Sequence, residues 1–154
     1  MRLRECASWL AAGMAALIAA TSCSNGETSA YATLPEWGWL YTDPVTFVTD
    51  SVAPGADATM TVALTHNNDY PFRNIWLETT YTATDSTLRT DTLNIELCDR
   101  FGRWFGKGFG ASYQIEATLP HTVAPIPASV VRVRHILRVD TLKGVEKLGI
   151  DIRP

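Results

Sequence analysis

After residue 24, apolar side chains recur at every second position, and no stretch carries a convincing long helical period. In "TMTVALT", Met60, Val62 and Leu64 alternate with Thr59, Thr61, Ala63 and Thr65. "NIWLETTYT" sets Ile75, Leu77 and Tyr81 on one side, and "DTLNIEL" does the same with Leu93, Ile95 and Leu97. "SYQIEATL" opposes Tyr113, Ile115, Ala117 and Leu119 to Ser112, Gln114, Glu116 and Thr118. "VVRVRHILRV" (130–139) and "LGIDI" (148–152) repeat the pattern. Because successive side chains of an extended chain point to opposite faces, this periodicity predicts strands with one buried side, and the many Thr, Val and Ile suit that backbone.

Turn-forming residues punctuate the strands at 53–57 ("APGAD"), 67–71 ("NNDYP"), 83–86 ("ATDS"), 98–110 and 124–127 ("APIP"). Strands at this spacing predict an all-β fold: a two-sheet antiparallel β-sandwich with jelly-roll or other Greek-key connections. Only "TLKGVEKLG" (141–149) reads as room for a helical turn. One domain, 33–154, accounts for the pattern.

The amino-terminal part is of another kind. Arg2 and Arg4 precede the apolar run from Cys6 to Ala20, which at roughly fifteen residues is short for a membrane span and right for a secretory leader. Ala20, Thr21 and Ser22 then precede Cys23, an arrangement that resembles the bacterial lipobox, with alanine where leucine is usual. The expectation is a lipoprotein signal peptide over 1–22, a lipidated Cys23 that anchors the chain without spanning the bilayer, and a small polar tether over 23–32. Ser24, where an aspartate would retain an enteric lipoprotein in the inner membrane, favours the outer membrane. With Cys6 removed and Cys23 blocked, Cys98 has no disulfide partner, so stability rests on the core.

The net charge is −3, and it becomes −4 once Arg2, Arg4 and Glu5 leave with the leader. That balance, with export, argues against nucleic acid as a partner. It also narrows the reading of "CDRFGRWFGKGFG" (98–110). The segment leads into an alternating strand rather than a helix, and lacks the spacing of a phosphate-binding loop. Two readings stay open. Trp104 offers a face on which a sugar ring could stack, with Asp99 or Arg103 bonding hydroxyls. Alternatively, the glycines permit a tight connection in which Trp104 and Phe105 cover the sandwich and Asp99 bonds turn amides.

No metal, cofactor or catalytic constellation is expected: His66, His121 and His135 are scattered, and no serine elbow or carboxylate pair is visible. Arg132, Arg134 and Arg138 share a parity with Ile136 and would form a cationic stripe on one strand face, spaced about 6 to 7 Å where two residues apart. Such a stripe is either a solvated surface or a dock for carboxylates.

With these residues in view, the chain resembles the gliding-motility lipoprotein family of Bacteroidota, the GldH type. The likeness is carried by "NNDYPFRNIWLE" (67–78), "LCDRFGRWFGKGFGASYQ" (97–114) and "RHILRVDTLKGVEKLGIDI" (134–152). Its recurring positions correspond here to Asp99, Gly102, Trp104, Gly106 and Gly108, and to Arg138, Asp140, Leu142 and Gly144. The resemblance implies a non-enzymatic, anchored accessory of the gliding machinery that acts through contacts with other envelope proteins. The alternative is a carbohydrate-binding sandwich with Trp104 and Trp76 as platforms.

Overall fold

A computed structural model describes residues 22–24, 27–49, 58–83, 85–123 and 129–153. The expected leader, apart from Ser22, lies outside the described residues, as do the turns at 53–57 and 124–127. Every regular element described is a strand: β1 (Ser22–Ser24), β2 (Glu27–Thr33), β3 (Trp39–Leu40), β4 (Val45–Thr49), β5 (Ala58–Asn67), β6 (Asn74–Thr82), β7 (Leu88–Glu96), β8 (Lys107–Phe109), β9 (Ser112–Val123), β10 (Ser129–His135), β11 (Thr141–Leu142) and β12 (Val145–Arg153).

The strands form a six-stranded sheet, β1-β2-β12-β5-β9-β8, a four-stranded sheet, β4-β10-β6-β7, and a small β11-β3 ribbon. All pairings are antiparallel. Counting only the eight long strands in chain order, one sheet runs first-eighth-third-sixth and the other second-seventh-fourth-fifth. That order is a jelly roll, two Greek keys folded face to face. The all-β sandwich expected from the alternation is therefore the fold.

Alternation sets the faces. Met60, Val62 and Leu64 of β5 sit opposite Ile152, Ile150 and Leu148 of β12, and all six are buried. Across the interior lie Phe47, Ile75, Leu77, Tyr81, Val131 and Val133 of the four-stranded sheet, in the same buried cluster. Each such side chain contributes about 1.5–3 kcal/mol by leaving water, and Cys98 is a free, buried thiol.

Three expectations need correction. The tether read over 23–32 is largely strand: Cys23 pairs with Thr28, and Glu27–Thr33 adds to β12 with Ala30 and Ala32 buried. Small inward residues carry little hydrophobic signal, so the alternation there is easily missed. The helical turn expected in 141–149 is absent. Thr141–Leu142 and Val145–Arg153 are strands, because Gly144 at φ +80° breaks the chain between them. Finally, the strand read through 139 ends at His135, so Arg138 leaves the expected stripe.

Candidate functional site

One end of the sandwich is closed by aromatic rings. His66, near the end of β5, faces Tyr113 across the β5–β9 pair and is fully buried. Its ring centroid lies 5.6 Å from that of Tyr113, 5.6 Å from Tyr70 and 4.7 Å from Trp104. Trp104 is half-buried over this group, and its indole Nε1 donates to Asn68 Oδ1 at 2.9 Å. Burial holds the His66 pKa below the usual histidine range, so the imidazole is neutral at pH 7. Its Nδ1 lies 3.2 Å from the Asn67 carbonyl, while Nε2 finds no partner among the described residues.

Trp104 is held there by the turn before it. Cys98 and Trp104 form an antiparallel bridge, and the Phe105 amide donates to the Leu97 carbonyl at 2.7 Å. Within that bridge, Asp99 Oδ1 accepts the amides of Phe101 (2.8 Å) and Arg103 (3.0 Å), and Oδ2 accepts Arg103 Nε (2.9 Å). Chiefly the Arg103 amide keeps the carboxyl below its ordinary pKa. The Arg103 side chain is 80% exposed, so this ion pair orders the turn more than it stabilises the fold. Asp99 is thus occupied by its own loop.

The three blocks that carry the family likeness meet at this end. The Asn67 amide donates to the Gly144 carbonyl at 2.8 Å, and the amides of Leu97 and Cys98 both reach the Arg73 carbonyl. Gly144 lies so close to the 69–70 peptide that a Cβ would fall 2.3 Å from the Tyr70 nitrogen. At Gly106, φ +93°, a Cβ would fall 2.2 Å from the Gln114 carbonyl oxygen. Glu146 ties the strands together, accepting Asn67 Nδ2 at 3.0 Å and Ser112 Oγ at 2.8 Å.

Outward, the same loop presents the opposite character. Phe101 is 70% exposed, Phe105 41% and Phe109 96%. The guanidinium carbons of Arg100 and Arg103 lie 4.7 and 5.8 Å from the Phe101 ring centre, and Arg100 and Lys107 are exposed. Sequence reasoning settled on Trp104 as the ring a ligand would meet and did not single out Phe109. A usable signal was present: Phe-Gly recurs every four residues, at 101, 105 and 109.

The arginine stripe is shorter than expected and is partly spent. Arg132 and Arg134 project from the outer face of β10, next to Thr80 and Glu78 of β6. Arg134 Nε donates to Glu78 Oε1 at 2.7 Å, a bond that raises its pKa, and its guanidinium lies 5.7 Å from the Tyr41 ring centre. Arg132 is exposed with no ion pair among the described residues. Arg138, also exposed and without one, stands in the loop after β10 beside Tyr41, Ile136 and Asp140, at a shallow hollow of about 240 Å³. Trp76 is part-exposed on the outer face of the four-stranded sheet. No ring contact links it to Trp104, which packs against inward-facing His66. The two tryptophans therefore do not form one sugar platform.

The histidines stay apart. His135 is buried against Trp39 and Tyr41, with Nε2 3.1 Å from the Trp39 carbonyl, and burial depresses its pKa. His121 pairs with Asp91 at 3.0 Å, where Asp91 also accepts the Tyr81 hydroxyl. Among the described residues, no group of three or more His, Cys, Asp or Glu is placed to hold a metal ion.

A comparison with protein families matches residues 27–152 to the GldH lipoprotein family. The chain belongs to that family. The match runs from the first residue of β2 to the penultimate residue of β12, and so covers the jelly roll and all three converging blocks. Membership implies a gliding-motility lipoprotein, anchored to an envelope membrane, in a structural family that is not a known family of enzymes. A comparison with curated proteins finds no match.

Proposed function

We propose that this chain is a non-enzymatic outer-membrane lipoprotein, held by acyl chains on Cys23, that docks other envelope proteins of the gliding apparatus on the outer face of its four-stranded sheet and the loop that follows β10. One observation carries the docking reading. Arg132 and Arg138 are exposed and make no ion pair among the described residues, while Arg134 is already paired with Glu78 at 2.7 Å. Guanidinium groups in a chain of net charge −3 are ready receptors for acidic side chains, since their fork-like donors fit carboxylates two bonds at a time.

Affinity capture of the lipidated protein from its native envelope tests this. Arg132→Glu with Arg138→Glu is expected to lower partner recovery at least about tenfold, which corresponds to roughly 1.4 kcal/mol, and to leave the urea midpoint nearly unchanged. Undiminished recovery sinks the docking face. Arg134 is left alone because Arg134→Glu would set two carboxylates side by side at Glu78. Mass spectrometry of residue 23 tests the anchor independently.

A further inference from the structure

We infer that the 100–110 loop is a second membrane contact, a set of phenylalanine pegs ringed by cations that seats on anionic lipid headgroups. It rests on the lipid-anchoring reading above. The chemistry begins with charge: residues 97–111 hold Arg100, Arg103 and Lys107 against the single acid Asp99, in a chain that is acidic as a whole. Phe109, the last residue of β8, and Phe101, on the turn after Cys98, are 96% and 70% exposed. Isolated convex rings have little to gain from a rigid protein surface unless matching pockets exist. A fluid headgroup layer accepts each ring separately while flanking guanidinium and ammonium groups meet phosphates. Arg100 and Arg103, both over the Phe101 ring, are placed for that division of labour.

Sheet topology favours a lipid occupant over a protein one. The strand holding Cys23 and the strand holding Phe109 are the two edges of one six-stranded sheet, five inter-strand steps or about 24 Å apart. Phe109 and Lys107 pair with Ser112 and Gln114, whose β5 partners are Asn67 and Thr65. Those positions alternate with inward His66 and Leu64, so Phe109 and Lys107 face outward. Lys147, opposite Thr65, lies on the same cross-sheet row and is exposed. Of the acids on this face whose surroundings are described, Asp151 is held by Ser29 and Tyr31, Glu146 by Asn67 and Ser112, and Glu116 is exposed. Cys23 lies on the cross-sheet row of Thr28, Ile152 and Met60 and Phe109 on that of Ser112 and Asn67, so with this face toward the bilayer anchor and pegs would hold opposite corners of one sheet. The tethered chain then meets lipid at high effective concentration.

Hydrogen exchange of the full lipidated protein provides the test, in vesicles of equal parts phosphatidylglycerol and phosphatidylcholine, in phosphatidylcholine alone, and in detergent. Amides 100–110 are expected to exchange about tenfold more slowly in the anionic vesicles than in the other two. Arg100→Glu with Lys107→Glu, and separately Phe101→Ser with Phe109→Ser, should return them to the detergent rate. Equal exchange in all three settings overturns the inference. So does protection that appears only when solubilised envelope proteins are added, which would make the loop a protein dock. Failure of the anchor itself is distinguishable, because the protein would then float free of every vesicle and residue 23 would have its unmodified mass.

Discussion

The two halves of the 97–111 loop are built from the same residue types and behave as opposites. Leu97, Cys98 and Trp104 are drawn inward, the last by an indole bond to Asn68 and by the His66 ring. Phe101, Phe105 and Phe109 are turned outward by glycines that follow each of them. An aromatic ring in such a loop takes its role from where the backbone bonds place it: the Cys98–Trp104 bridge fixes one group, and the turns at its tips release the other. The inner half belongs to the stability of the fold and the outer half is available for recognition.

That division is open to attack at several points. The largest effect should come from Trp104→Ala, which removes a half-buried ring and an indole bond. A loss of about 3 kcal/mol in urea unfolding is expected, against less than about 0.5 kcal/mol for Phe109→Ala. Similar losses for both would erase the distinction. Gly106→Ala comes next at about 2 kcal/mol, since it combines a left-handed backbone with a Cβ driven into the Gln114 carbonyl. A thermal melt that does not move would mean that the close approach of the two backbones is dispensable.

The smallest effect is one of pH. Burial depresses the pKa of His66 and of His135 below 6.5, so the unfolded chain binds protons that the folded chain refuses. Stability should therefore be full above pH 6.5 and fall as the pH drops from there toward the folded pKa, by up to about 1.4 kcal/mol per pH unit for each histidine. His66→Gln should flatten part of this slope, measured as the urea midpoint between pH 7.5 and 5.5. A slope unaltered in that variant would remove His66 from the account of the packed half.

Much of this was legible in the sequence where side chains are large and alternate. β5, β6, β9 and β12 announce themselves through Met60, Leu77, Ile115 and Ile150 and their neighbours, and the turn role of Asp99 follows from its place before glycine. β2 stayed hidden because Ala30 and Ala32 bury little area each, although backbone pairing with β12 fixes them as firmly as any leucine. Arg138 was misplaced because period two says nothing about where a strand stops. Here it stops after His135, where the Ile136 amide turns to the Trp76 carbonyl. Phe109 was overlooked for a related reason: hydrophobicity predicts burial, and only the glycine after the ring hints at release.

The pairing of β2 with β12 joins positions as far apart as Ser29 and Asp151, 122 residues along the chain. Long-range closure of this kind is slow, because loop entropy must be given up before the contacts that reward it can form. For a lipoprotein exported amino end first, as proposed above, the central sheet could close only after Val145–Arg153 had come through. In that setting the strand order would act as a built-in delay that leaves closure to the far side.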